Sequence, residues 1–228
     1  MGRRRIEGIK VCIFDAYGTL FDVHSAVGRY RDRLADKADA VSATWRTKQL
    51  EYTWMRSLMQ RYVDFWQVTG DGLDYALDAH GVDDAGLRAD LMNAYLGLDC
   101  YAEVPDALLE LKEAGVRTAI LSNGSPRMLA AAVASSGLGA VLDAVLSVDK
   151  LGIYKPHPSV YQLALDAFDV GRREICFQSS NAWDAAAAAT FGFHVAWVNR
   201  FAQAPERLPD DPDVELKTLE ELPGVVLP

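Results

Sequence analysis

The sequence predicts an α/β protein: a doubly wound, mostly parallel sheet with a Rossmann-like core, carrying an inserted helical cap domain. Three observations point to it. Five short apolar, β-rich segments recur along the chain, most of them separated by helical patterns. Two of these, Val-Cys-Ile-Phe from Val11 and Val-Ala-Trp-Val from Val195, are continuous apolar runs, as in strands covered by helices on both faces. Between the first segment and the second, one long stretch has helical periodicity and no convincing strand.

Taken in order, the first strand is expected at Lys10–Phe14. It delivers Asp15 to a Gly18-Thr19 turn. From about Val23 to Cys100 the chain reads as helical. Within that region Gln49–Trp66 carries Leu50, Trp54, Met55, Leu58, Met59, Tyr62, Phe65 and Trp66. Side chains spread so widely around one helix imply burial on several sides, as a cap helix, a roof over a site or a subunit contact. Pro105 opens a helix over Asp106–Ala114 with Leu108, Leu109 and Leu111 on one face, and Gly115 closes it. A second strand follows at Val116–Leu121. Ser125-Pro126 begins another helix in N-cap style, ending near Gly137. Strands at Ala144–Val148, Glu174–Gln178 and Phe193–Val198 complete the set. The segment from Asp184 to Thr190 is nearly all alanine before Gly192, so its helix can lie close to the sheet. Pro205 to Pro212 is turn-rich and acidic and precedes a last short element. The expected division is a core of residues 1–22 and 101–228 and a helical cap of residues 23–100.

Composition bounds the function. A formal net charge of -9 argues against non-specific nucleic-acid binding, and no apolar stretch approaches the roughly eighteen residues of a membrane span. Arg3-Arg4-Arg5 is the only basic cluster and reads as a solvated tail, with no export signal after it. Cys12, Cys100 and Cys176 are widely spaced without metal-ligand spacing. Cys12 and Cys176 fall in expected buried strands and read as core thiols of a cytoplasmic protein.

The candidate chemistry sits at strand ends, where an open α/β sheet binds ligands. An aspartate at the mouth of a strand suits a carboxylate nucleophile. Asp15 and Thr19 follow the first strand, Ser122-Asn123-Gly124 the second, Lys155-Pro156 the third and Ser179-Ser180-Asn181-Ala182-Trp183-Asp184 the fourth. Each alone has a plainer reading. Asp15 can be a turn cap, Asp184 the N-cap of the alanine helix, Lys155 and Arg46 surface cations, and Tyr161 a packing residue. The conjunction of Asp, Ser/Thr, Lys and late Asp on successive strand ends is what favours catalysis.

This constellation resembles the haloacid dehalogenase superfamily. Phe14–Asp22, the Trp45–Trp54 run, Leu121–Gly124 and Ser179–Asp184 resemble most closely the L-2-haloacid dehalogenases, over essentially the whole chain and cap. The resemblance implies hydrolysis of short-chain L-2-haloalkanoic acids to 2-hydroxy acids and halide, with inversion, through an ester on Asp15. No cofactor and no metal are expected. In phosphatases of the superfamily an acid two positions after the nucleophile protonates the leaving group. Tyr17 stands there instead, and Ser179-Ser180 replace a Gly-Asp pair. Both losses weaken a Mg²⁺ site, which needs several hard oxygen ligands. In this scheme Asp184 activates the hydrolytic water, with Ser179 and Asn181 as positioners. Lys155 lies between the carboxylates, Thr19 bonds to Asp15 or its network, and Tyr161 completes the polar network. Ser122 and the backbone amides near Ala16 and Tyr17 take the substrate carboxylate. Arg46, Asn123 and the edge of Trp183 face the halide. A homodimer through the cap is expected. The alternatives are a Mg²⁺-dependent small-molecule phosphatase or phosphonate hydrolase on the same fold, and a binding protein on a disabled one. The last predicts a lost catalytic position, yet Asp15, Thr19, Ser122, Lys155 and Asp184 are all present.

Overall fold

The computed structural model describes residues 5–228. Of the arginine triplet, Arg3 and Arg4 lie outside these residues. Strand β1 (Val11–Phe14) leads into the two-residue β2 (Phe21–Asp22) and then into helices α1 (Ser25–Gly28), α2 (Arg31–Leu34), α3 (Ala38–Leu58), α4 (Phe65–Ala79) and α5 (Ala85–Leu96). The chain returns through β3 (Asp99–Cys100), α6 (Val104–Glu113), β4 (Arg117–Ser122), α7 (Pro126–Ser136) and β5 (Ala144–Ser147). It ends with α8 (Pro158–Phe168), β6 (Ile175–Ser179), α9 (Ala182–Phe191), β7 (His194–Val198), β8 (Val214–Leu216) and α10 (Pro223–Val226).

The main sheet has the order β5-β4-β1-β6-β7-β8, and every pairing in it is parallel. β1 is central and fully buried, with Ile13 opposite Ala119 on one side and Phe177 on the other. The chain crosses from β1 to β4 and β5 on one flank, then returns to β6, β7 and β8 on the other. The carboxyl ends of β1, β4 and β6 therefore meet at the topological switch point, where doubly wound sheets bind ligands.

Local sequence explains the punctuation. Asp64 and Asp84 cap α4 and α5 by accepting from the backbone N–H groups of Gln67 and Leu87 at 2.8 and 2.9 Å. Gly137 ends α7 in the left-handed conformation at φ 72°. Gly18 sits at φ 94° immediately after the Asp15 turn, and an added Cβ would meet Ser180 Oγ at 3.1 Å. Both the backbone angle and the close approach call for glycine.

The expected parallel α/β core and its helical cap are present, with corrections to individual elements. The predicted strands are shifted by about a residue at their ends. A sixth strand, β8, joins the sheet beside β7. A two-residue antiparallel ladder pairs Phe21 with Cys100 and Asp22 with Asp99 where no strand was expected. Gln49–Trp66 is not one helix: α3 stops at Leu58, Gln60 takes φ 55°, and α4 restarts at Phe65. Leu58 and Met59 are exposed rather than buried, because they lie where the chain turns. Finally, α6 starts at Val104 with Pro105 inside its first turn, and α9 starts at Ala182 with Asn181 as N-cap. Asp184 is therefore inside the first turn of α9 and not its cap.

Candidate active site

Asp15 continues β1 without a break, its N–H donating to the Gln178 carbonyl at 2.8 Å, so the sheet itself aims the side chain. Both carboxylate oxygens are engaged. The Lys155 ammonium donates to Oδ1 at 3.1 Å; Asn181 Nδ2 and the Thr19 hydroxyl donate to Oδ2 at 2.9 and 3.3 Å. Lys155 also donates to Asp184 Oδ2 at 2.8 Å, and Tyr161 OH donates to Asp184 Oδ1 at 2.7 Å. Lys155 is buried, its ammonium 4.9 Å from the Phe177 ring centroid. An ammonium between two carboxylates leaves one excess negative charge, and the neutral donors Thr19, Asn181 and Tyr161 share it.

Burial alone would strip the proton from Lys155, but the two carboxylates beside it win and hold its pKa above the ordinary lysine value. For Asp184 burial raises the pKa and the negative charge of Asp15 adds to it, against the opposing pull of Lys155 and Tyr161. A carboxylate made more basic in this manner suits proton abstraction from water. Burial likewise pushes the Tyr161 hydroxyl well up, which keeps it a neutral donor.

The cap supplies the other charge. Arg46 reaches over Asp15 from α3. Its Nη2 donates to the Tyr17 carbonyl and to Asn181 Oδ1, both at 3.0 Å, and its Nη1 to Gln49 Oε1 at 2.9 Å. Asn181 thus joins the cap cation to the core carboxylate, accepting from one and donating to the other. The Tyr17 side chain packs in an aromatic cluster with Tyr95 and Phe65, at centroid distances of 5.6 and 5.5 Å. Its hydroxyl is buried without an acceptor among the described residues. Desolvation is the main reason its pKa stands well above that of an ordinary tyrosine. A group so placed is no proton donor for a leaving group.

The remaining expected site residues fall at the edges of this network. Ser122 Oγ accepts from the Gly124 N–H at 3.1 Å, so its own proton can go to a substrate. Asn123 Oδ1 accepts from the Lys155 backbone N–H at 3.0 Å and holds the lysine loop. Ala16 lies in the turn, its carbonyl accepting from the N–H groups of Leu20 and Phe21 at 2.9 and 3.1 Å. Ser179 Oγ accepts from the Asn181 N–H at 3.1 Å and shapes the loop that carries Asn181. Trp183 packs edge-on against Trp54 at 5.3 Å. Both indoles line a cleft of about 860 Å³ between cap and core that also touches Lys155, Tyr154, Tyr161 and Phe191. Among the described residues no cluster of three or more His, Cys, Asp or Glu side chains could hold a metal.

Sequence reasoning passed over three contributors. Ser180 donates its N–H to Thr19 Oγ1 at 2.8 Å and takes part of the threonine proton at 3.3 Å. Arg200, whose side chain is buried, reaches from the end of β7 to the Thr19 carbonyl at 2.9 Å and pairs with Glu103 at 2.6 Å. Gln49 meets Arg46 one turn along α3, a spacing of three residues that the sequence does display.

A strand-end carboxylate, a lysine between two carboxylates and a helical cap over the switch point are the arrangement expected of a hydrolase of the haloacid dehalogenase type. The chain belongs to that family: the model of the haloacid dehalogenase-like hydrolases matches residues 9–192. It is 50% identical over 215 residues to the (S)-2-haloacid dehalogenase of Pseudomonas sp. (strain YL), covering 94% of this chain and 93% of that protein. Among solved structures, a dehalogenase with an intermediate complex superposes with a TM-score of 0.96 at 45% identity, covering 98% of this chain and 99% of that one. The L-2-haloacid dehalogenase of Xanthobacter autotrophicus with chloropropionic acid covalently bound superposes with a TM-score of 0.88 at 39% identity, covering 95% and 97%.

Proposed function

We infer that this protein is a hydrolytic dehalogenase of short-chain (S)-2-haloalkanoic acids. The observation that carries the reading is at Tyr17. It occupies the place of a phosphatase's proton donor, yet its hydroxyl is buried in an aromatic cluster and its pKa is raised. The leaving group must depart without a proton, as a halide does.

In the proposed sequence an Asp15 oxygen attacks C2 of the substrate from the side opposite the halogen. The C–O bond forms as the C–X bond breaks, the halide leaves with the bonding pair, and C2 inverts. Arg46, always charged and weakly hydrated, stabilises the charge that develops on the halogen, with Asn123 and Trp183 assisting. Ser122 and backbone amides beside Ala16 and Tyr17 bind the carboxylate. Water then adds to the carbonyl carbon of the Asp15 ester. Asp184, raised in pKa by its burial, takes the proton. Collapse returns that proton to the departing C2 oxygen and frees Asp15 as its acid, which gives water's second proton to solvent and is again a carboxylate. Lys155 bridges the two carboxylates, and its ammonium orients Asp15 and offsets part of their negative charge. Thr19, Asn181 and Tyr161 orient the carboxylates, and Ser179 shapes the loop that carries Asn181.

We further place the cap boundaries at residues 23–100, a division supported by the Phe21–Cys100 and Asp22–Asp99 pairs that tie its two ends together. The protein is proposed to act as a cytoplasmic homodimer. Three unpaired cysteines suit a reducing compartment, and exposed Leu58 and Met59 suit a subunit contact.

The test is halide release from (S)-2-chloropropionate with EDTA present. Wild-type protein is expected to release chloride and the inverted 2-hydroxy acid at undiminished rate, and Asp15→Asn to lose multiple turnover by about a thousandfold or more. In a single turnover in ¹⁸O water, the label is expected in the Asp15 carboxylate. Metal-dependent phosphate release without halide release would overturn the assignment. Full turnover by Asp15→Asn, or label appearing only in the product, would overturn the ester route.

A further inference from the structure

Arg46 donates to three acceptors, one of them Gln49 from its own helix, and the Gln49 amide is itself held by partners on α4 and α5. Gln49 is buried, as are Tyr95, Thr69 and Trp45 around it. Its Oε1 accepts from Arg46 Nη1 at 2.9 Å and from Tyr95 OH at 3.1 Å, while Nε2 donates to Thr69 Oγ1 at 2.8 Å. Chemistry fixes which way the amide faces. A guanidinium only donates, so the oxygen must turn to Arg46. The Thr69 proton is already given to the Phe65 carbonyl at 2.6 Å, so its oxygen can only accept. Trp45 Nε1 donates to the Thr69 carbonyl at 2.8 Å, which ties the same strip of α4 to α3 next to Arg46. Tyr95, from α5, stacks on Tyr17, whose carbonyl accepts from the other end of the guanidinium.

We propose that Gln49 is a positioning residue for the dehalogenation step: its amide, locked by Tyr95 and Thr69, holds the Arg46 guanidinium where charge develops on the departing halogen. The inference rests on the role assigned above to Arg46. Two of the Arg46 partners, Tyr17 and Asn181, belong to the core. Gln49 is the partner carried by the same cap helix as Arg46, so it sets the guanidinium's direction from within the cap. A neutral acceptor is also the right chemistry. A carboxylate at this point would form an ion pair with Arg46 and cancel the charge offered to the halide.

The expected signature is a change in leaving-group dependence, since help from Arg46 matters more for chloride than for bromide. Halide release is measured in single turnovers with (S)-2-chloro- and (S)-2-bromopropionate for wild type, Gln49→Met, Gln49→Glu and Tyr95→Phe, with a thermal unfolding scan of each. Gln49→Met keeps the volume and removes the acceptor. It is expected to slow chloride release about tenfold, as for loss of a hydrogen bond to a charged group, and bromide release by a smaller factor, so that the bromide-to-chloride ratio rises. KM is expected to change little. Gln49→Glu should raise the ratio further, and Tyr95→Phe should raise it by a smaller factor. Equal slowing on both substrates in variants that fold, with an unchanged ratio, would reduce Gln49 to a packing role and overturn the proposal. If Gln49→Met does not fold, Tyr95→Phe decides by the same ratio. Absence of halide release from wild-type protein would instead sink the dehalogenase assignment itself.

Discussion

At Lys155 the ammonium lies 3.1 Å from one carboxylate and 2.8 Å from another, all within the buried interior. Removing it leaves Asp15 and Asp184 facing each other with one fewer positive charge than the site needs. Lys155→Met is therefore expected to abolish turnover and to destabilise the fold by about 3–5 kcal/mol at neutral pH, the usual effect of breaking a buried ion pair. The pH dependence has a definite sign. Burial already raises the Asp184 pKa, and Lys155 is the main influence lowering it. Without Lys155 the folded-state value rises further above the unfolded one. The protonated form is then favoured in the folded state, so stability is regained below the unfolded carboxylate pKa of about 4 and lost as pH rises through the folded value. Urea unfolding of wild type and variant at about pH 5 and pH 8 should show a larger deficit at pH 8. A deficit independent of pH would show that the lysine only fills space. The positions of Asp15, Thr19, Lys155 and Asp184 were legible in the sequence because strand ends converge in any doubly wound sheet. The partnerships of Asn181, Ser180 and Gln49 were not. They depend on rotamers and on contacts between residues as far apart as Thr19 and Ser180, which no local pattern encodes.

Elements show the same division between periodic signal and tertiary contact. Long helices and central strands announced themselves through apolar spacing. β8 did not, since a three-residue edge strand carries almost no period, and its place comes from pairing Ala196 with Val214. The end of α3 was obscured because Leu58, Tyr62, Phe65 and Trp66 continue a helical spacing through a turn. Packing between α3 and α4 supplies a test in which propensity and contact oppose each other. Both Gly70 and Gly72 lie within α4, where alanine should help by about 0.5–1 kcal/mol. A Cβ at Gly70 would meet only the ends of flexible side chains, Arg88 Nη2 at 3.4 Å and Met92 Cε at 3.6 Å. At Gly72 it would stand 3.1 Å from the backbone nitrogen of Gln49, which cannot swing aside. Overpacking of about 1–3 kcal/mol outweighs the propensity gain there. Gly70→Ala is expected to stabilise by up to about 1 kcal/mol and Gly72→Ala to destabilise by about 1 kcal/mol. Unfolding midpoints that move in the same direction would show that the two helices are not held at that spacing.

For the whole molecule, the hydrogen bonds around Asp15 link cap and core within one chain, and the exposed cap surface is where the proposed second copy is tested. Met55, Leu58 and Met59 at the end of α3 are 51%, 80% and 62% exposed. Leu58 also lines the cleft, with Trp54 and Ser57 from the cap and Leu208 from the core. Exposed apolar side chains grouped beside an apolar cleft are unfavourable for a free monomer, and an isologous contact between two copies buries them with no new partner required. The sequence conveyed the excess of apolar residues here but not which of them were left uncovered, since that depends on where α3 stops. Sedimentation of the wild-type protein is expected at twice the 25.0 kDa chain mass. Met59→Glu places a charge in the contact and is expected to weaken association by about tenfold or more. Halide release per chain should stay within about twofold of wild type, because Met59 is exposed and lies outside both the Asp15 network and the cleft lining. A wild-type protein that sediments as a monomer at about 100 μM, a concentration far above the Kd of a stable dimer, would refute the cap contact. Loss of activity in parallel with dissociation would instead show that the second copy holds Arg46 and the cap in place.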